Sequence, residues 1–112
     1  MLTPTGTPYY RAPEMLEGGG YDEMVDMWAA GVTVFKLMTG MTPFESEYHI
    51  DTISNIMKGE IKFEKMRFEC SQAPKNFVRR LLRRSLKDRL TAEQALKDVW
   101  LLDLRVLTPY NQ

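Results

Sequence analysis

The 112-residue sequence predicts an all-α fold in one small domain. Its apolar residues recur at helical spacing in several segments, and glycine and proline residues separate those segments. No stretch shows a convincing strand pattern. Hydrophobic residues make up 44% of the chain and charged residues 27%, which is typical of a globular protein and not of a disordered one.

The first forty residues are predicted to form a loop, a short helical turn and a long central helix. Residues 1–11 are rich in Thr, Pro and Gly, which predicts a loop. Ala12 to Leu16 fit one helical turn, and three consecutive glycines at 18–20 then break the chain. From Asp22 to Met38 the apolar residues cover most of a helix circumference, so we expect a helix that is buried on most sides. Gly40 ends it.

Two more helices are predicted after this central one. The second runs from Tyr48 to Met57, and Gly59 ends it. Its expected apolar stripe consists of Ile50, Ile53, Ile56 and Met57. A third helix follows Ser71, which is an expected N-cap, and reaches about Leu82 or Arg84. Its expected inward residues are Phe77, Val78, Leu81 and Leu82.

A final helix begins at Thr91. Thr91 and Gln94 have the spacing of a capping box, in which the two side chains satisfy free backbone N–H groups at the helix start. The apolar residues that follow are Ala92, Ala95, Leu96, Val99 and Trp100.

Composition and charge limit the kinds of binding partner and the cellular compartment that we expect for this protein. Basic and acidic residues both number 15, so the formal net charge is +0 and gives no overall attraction to nucleic acid or to an anionic membrane. No secretory signal is recognisable, and charged residues interrupt the apolar stretch from Met24 to Met41. Cys70 is the single cysteine and cannot form an internal disulfide. We therefore expect an intracellular, cytoplasmic protein with neither nucleic-acid nor membrane partners.

Three strings in a fixed order carry the functional information. They are TGTPYYRAPE at 5–14, DMWAAGV at 26–32 and DRLTAEQAL at 88–96. In this order and at these separations they resemble the second half of a eukaryotic Ser/Thr protein kinase catalytic domain, over about residues 3–101. The resemblance implies the C-terminal-lobe half of that fold, with a central buried helix, three or four surrounding helices and an N-terminal substrate loop. The order and spacing of the residues are closest to the calcium/calmodulin-dependent group of kinases, whereas the string YRAPE at 10–14 resembles the proline-directed group.

The resemblance assigns substrate contacts to the first string. In the family the Thr at the Thr7 position hydrogen-bonds the catalytic Asp and marks Ser/Thr specificity. Gly6 allows the substrate backbone to approach closely. Pro8, Tyr10 and Arg11 would line the pocket for the residue that follows the target hydroxyl.

Four further residues have implied structural roles. Glu14 and Arg89 resemble the family's buried ion pair, so we expect the two side chains to lie within hydrogen-bond distance. The acid at the Asp26 position accepts hydrogen bonds from the catalytic loop in the family, and Trp28 would pack beneath the turn that contains Glu14. Thr3 matches the activation-segment phosphorylation site, with Thr5 as the competing site and an unmodified threonine as the default interpretation.

Several motifs of a complete kinase are missing from the sequence. There is no Gly-rich loop, no Lys–Glu pair for the phosphates, no catalytic Asp loop and no DFG. We therefore expect residues 1–101 to form part of a kinase domain, with 102–112 as a C-terminal tail. The parent would use ATP and Mg²⁺, while this chain would hold no catalytic residue, cofactor or metal. Its expected partners are a protein or peptide substrate and the N-terminal half of the kinase. A non-catalytic, kinase-derived interaction protein is the alternative, and an unrelated helical binding module a third hypothesis.

Other candidates are weaker. One helix and its exit carry a cluster of basic residues, namely Arg79, Arg80, Arg83, Arg84, Lys87 and Arg89. This cluster favours a solvated face over a nucleic-acid or phospholipid site, because leucines at core spacing interrupt it and the net charge is zero. His49 is a lone histidine and does not indicate a metal site. Lys36 occupies a position that is often Glu in kinases that select Arg before the target residue, so we expect no such preference.

Overall fold

The computed structural model describes residues 8–19, 22–61, 63 and 72–101. The helices in these ranges are α1 (Pro13–Leu16), α2 (Glu23–Thr39), α3 (His49–Lys58), α4 (Gln72–Leu81) and α5 (Ala92–Leu96). Residues 99–101 add one more helical turn, and these ranges contain no strand. The all-α prediction is confirmed. None of these helices combines the length and the apolar character that crossing a bilayer requires.

Local hydrogen bonds fix both ends of α2. At its start the Asp22 carboxylate accepts a hydrogen bond from the N–H of Met24 at 2.8 Å. At its end Gly40 adopts a left-handed conformation with φ 82°, and its N–H donates to the Lys36 carbonyl at 2.7 Å. The helix thus begins and ends within one residue of its predicted bounds.

α2 is the expected buried central helix, and apart from Leu37 its exposed residues are polar or charged. Val25, Trp28, Val32 and Phe35 form one buried stripe at helical spacing. Leu37, in contrast, is 81% exposed. The exposure of Leu37 is a local exception, because α4 covers the main face of α2 within the described ranges and Met27 and Val34 pack against a second core cluster.

The close packing of α2 on α4 depends on Gly31. A Cβ atom built at Gly31 would lie 2.9 Å from the Cβ of Leu81 and 2.9 Å from side-chain atoms of Leu82. The predicted inward residues of α4 are all buried, and they are Phe77, Val78, Leu81 and Leu82. The core that forms around this contact includes Ala12, Trp28, Val32, Phe35, Phe44 and Ile56.

The predicted ends of α3 and the predicted start of α5 are correct to within one residue, whereas α5 ends at Leu96, before Val99 and Trp100, which lie in the separate turn at 99–101. Gly59 ends α3 with φ 72°. The prediction that Ile50 belongs to the apolar stripe of this helix was wrong, because Ile50 is 76% exposed. It lies in the first turn of α3, where no described core cluster includes it. The capping box is confirmed, since Thr91 and Gln94 exchange hydrogen bonds of 3.0 and 3.2 Å. Ser71 lies outside the described residues.

Candidate functional site

The structure is organised around one buried guanidinium, that of Arg89, whose side chain has no exposed surface. Its Nε donates to the carbonyl of Arg83 at 2.8 Å. One terminal nitrogen donates to the carbonyl of Met24 at 2.8 Å, and the other contacts the carbonyl of Arg84 at 3.4 Å. Both terminal nitrogens also donate to Glu14, at 2.7 and 2.9 Å. These five hydrogen bonds equal the five N–H donors of a guanidinium, so the burial of this cation is fully compensated.

Glu14 and Arg89 therefore make the expected ion pair, with the bidentate geometry that an Arg fork gives with a carboxylate. Burial by itself raises the pKa of Glu14. Hydrogen bonds from Arg89 and from the backbone N–H of Glu14, together with the positive charge of Arg89, outweigh burial and hold the pKa of Glu14 below its ordinary value. The pair joins α1 to the loop before α5, across 75 positions of sequence.

The glycines after α1 hold the backbone of Glu14. Gly18 has φ 92°, a conformation that other residues rarely adopt. The N–H of Gly19 donates to the Glu14 carbonyl at 2.7 Å, and a Cβ at Gly19 would lie 2.7 Å from the same oxygen. Sequence analysis treated these glycines only as chain breakers and missed this contact. The run of three glycines at 18–20 was the sequence signal for a close backbone contact at this point.

Trp28 lies beneath this pair, fully buried in the core that also contains Ala12 and packs against α1. Its ring stacks on Phe44 with a centroid separation of 5.5 Å, and the Arg89 guanidinium carbon lies 5.1 Å from its centroid. Its indole N–H is buried without a hydrogen-bond partner among the described residues. Asp26 lies in the first turn of α2 and is exposed. Sequence analysis missed Phe44.

The described part of the candidate substrate segment begins at Pro8. Pro8 is buried, and its carbonyl accepts a hydrogen bond from the N–H of Arg11 at 3.0 Å. The Tyr9 ring packs edge-on against His49 of α3, with centroids 5.8 Å apart. Tyr10 is 38% exposed, and Arg11 is partly buried. Tyr10 is thus accessible on the loop that leads directly into α1.

Three of the residues that the sequence singled out, Thr3, Gly6 and Thr7, lie outside the described residues. Within the described ranges no group of three or more His, Cys, Asp or Glu is placed to hold a metal ion. What the described residues show is a surface loop whose end is joined to the helical body by the ion pair of Glu14 and Arg89.

The chain is similar to known proteins of one family. The protein kinase domain family matches residues 1–101. The chain is 38% identical over 100 residues to calcium/calmodulin-dependent protein kinase type 1B of Homo sapiens, a match that covers 88% of this chain and 29% of that protein. It is 43% identical over 104 residues to the serine/threonine-protein kinase DCLK3 of Mus musculus, covering 90% of this chain and 13% of that protein.

A solved structure agrees with these relatives. The autoinhibited serine kinase domain of the giant muscle protein titin superimposes with a TM-score of 0.77 at 37% identity, covering 85% of this chain and 30% of that chain. The chain therefore spans less than a third of the length of these relatives. Because the family match covers most of the chain, this protein belongs to the protein kinase family.

Proposed function

We propose that this chain supplies the peptide-substrate loop and the helical scaffold of a Ser/Thr protein kinase. The complete protein would transfer the γ-phosphoryl group of ATP to a Ser or Thr hydroxyl of a protein substrate. The observation that carries the proposal is the buried bidentate pair of Glu14 and Arg89, which fixes the end of the loop to the helical body. A substrate loop must be held in this way, because small displacements of bound groups cost large factors in rate.

Within the loop we assign the substrate contacts to Gly6, Thr7, Pro8, Tyr10 and Arg11. The partial exposure of Tyr10 beside the buried Pro8 supports a groove with an accessible aromatic wall. Glu14, Arg89, Asp26 and Trp28 act as supports that do not touch substrate. Thr3 is the proposed phosphorylation site.

ATP and Mg²⁺ would be held by a part of the kinase that this sequence does not contain, since the Gly-rich loop, the catalytic Asp loop and DFG are missing from it. The described residues do not fit these groups, because no metal-binding cluster occurs among them. We therefore propose that the chain alone is inactive and works together with the N-terminal half of the kinase. The exposed Leu37 on α2 supports a partner surface on that helix.

We propose that residues 1–101 make up the kinase portion and 102–112 a tail. The family match to 1–101 supports the first part of this division. An intracellular, cytoplasmic location suits a phosphotransferase that uses ATP, and the single cysteine agrees with it.

A chimera tests the proposal. Residues 1–101 of this chain would replace the matching segment of human calcium/calmodulin-dependent protein kinase type 1B, and phosphotransfer to a Ser-containing peptide would be measured. We expect activity from the chimera and none from the chain alone. Thr7→Ala in the chimera should reduce activity strongly, whereas Thr33→Ala, on the exposed side of α2, should leave it unchanged.

Two outcomes contradict the proposal. Phosphotransfer by the isolated chain would show that it holds its own nucleotide site. A chimera that folds with a cooperative thermal transition but is inactive would indicate the non-catalytic interaction protein instead.

A further inference from the structure

We propose that a cationic pocket between the C-terminal ends of α3 and α4 binds a phosphate monoester carried on a peptide. The cavity has a volume of about 320 Å³. Four basic and three apolar side chains line it, and we call this set the cationic pocket: Lys58, Arg79, Arg83, Arg84, Ile61, Phe63 and Leu82. None of the described residues that line it is acidic.

Arg79 is held in position before any ligand arrives. Its guanidinium carbon lies 4.5 Å from the centroid of the Phe63 ring. One terminal nitrogen donates to the side-chain oxygen of Asn76 at 3.0 Å. This single hydrogen bond leaves most of the five guanidinium N–H donors available for a phosphate oxygen. A cation that is already oriented loses less entropy when it binds an anion than a freely rotating one does.

The local charge is not balanced by the protein. The C-terminal ends of α3 and α4 carry roughly half a negative charge each, and basic residues near them are favourable for that reason alone. The carboxylate of Glu17 pairs with Arg84 at 3.0 Å and removes one positive charge more. The two helix ends together and the Glu17 carboxylate each offset about one of the four positive charges that line the pocket. An excess of about two positive charges remains, which a phosphate dianion would neutralise.

The pairing of Arg84 with Glu17 does not block the pocket. Both side chains are 52% exposed, and exposed pairs of this kind contribute little to stability. Arg84 can therefore exchange Glu17 for a phosphate oxygen. Lys58 and Arg83 are exposed, and the structure records no side-chain hydrogen bond for either.

A peptide suits the pocket better than a membrane surface does. The apolar residues Ile61 and Phe63 line the cavity and are only partly exposed, so one apolar side chain beside the phosphate can contact them there. A bilayer presents a flat array of headgroups and is recognised by apolar side chains that protrude from the protein. Ile61 and Phe63 are partly buried and do not protrude in that way.

The test is a titration of the full 112-residue chain with a seven-residue peptide that contains one phosphoserine followed by leucine and no other charge. Calorimetry would give the Kd, and the Arg Nε–H signals in a nitrogen-correlated NMR spectrum would show which guanidinium groups respond. We expect the unphosphorylated peptide to bind at least tenfold more weakly. Inorganic phosphate should compete for the site, also more weakly, because it lacks the apolar contact.

Matched charge deletions locate the site. Lys58→Ala and Arg83→Ala should each weaken binding about tenfold, because each removes one charge-assisted contact. Lys97→Ala deletes the same charge at an exposed position outside the pocket and should leave the Kd unchanged. Thermal unfolding of each variant separates loss of the site from loss of the fold.

Three results would overturn the proposal. One is equal affinity for the phosphorylated and unphosphorylated peptides. Another is the same loss of affinity in Lys97→Ala as in Arg83→Ala. The last is binding to vesicles with phosphoinositide headgroups but not to the phosphopeptide, which would assign the pocket to a membrane. None of these results depends on kinase activity, so the proposed function stands or fails separately.

Discussion

Replacing Arg89 by lysine keeps the charge and removes the planar fork. The guanidinium makes five hydrogen bonds, whereas an ammonium has three donors, so at least two bonds are lost. Hydrogen bonds that involve a charged group contribute about 1.5–3 kcal/mol each. At the lower value Arg89→Lys should reduce the free energy of unfolding by about 3 kcal/mol.

Urea unfolding followed by tryptophan fluorescence measures this loss, because Trp28 lies directly against the Arg89 guanidinium. With an m-value of about 1.5 kcal/mol per M, the unfolding midpoint should fall by about 2 M. Arg84→Lys is the matched control, since Arg84 forms an exposed ion pair and should lose less than about 1 kcal/mol. Equal midpoint shifts in the two variants would refute the central role of the buried fork.

Three further predictions concern the same framework. The pKa of Glu14 is lowered in the folded state, so its contribution to stability is complete above the ordinary value of 4.5 and is lost as the pH falls through the folded pKa. Urea midpoints measured between pH 6 and pH 3 should show this loss, and Glu14→Gln should remove it. Thr91→Ala should cost about 1 kcal/mol in urea unfolding because it breaks the capping box, while Thr91→Ser should cost less; equal losses would argue against the cap. Gly31→Ala should destabilise by about 1–3 kcal/mol, because its Cβ would meet α4 at 2.9 Å; a more stable variant would show that α2 and α4 can separate at little cost.

Helix ends were predictable because the signals that set them are local. Gly40 and Gly59 take the left-handed conformation that ends a helix, and Thr91 forms its capping box with a residue three positions away. Such interactions need no knowledge of the rest of the fold.

Burial was predictable only where the covering element was also predictable. Leu37 of α2 and Ile50 of α3 both lie in apolar helical patterns, yet both are exposed, because helical spacing does not say which faces have a neighbour. The contact of Gly19 with the Glu14 carbonyl, and the carbonyl partners of Arg89, depend on the path of the backbone and carry no sequence pattern. The pairing of Glu14 with Arg89, 75 positions apart, came from family resemblance and not from spacing.

The peptide KM and the ATP KM of the active chimera, measured separately, test most directly whether this chain serves the substrate side of the reaction. We expect Tyr10→Ala, an exposed change on the substrate segment, to raise the peptide KM several-fold and to leave the ATP KM unchanged. A raised ATP KM with an unchanged peptide KM would contradict that assignment.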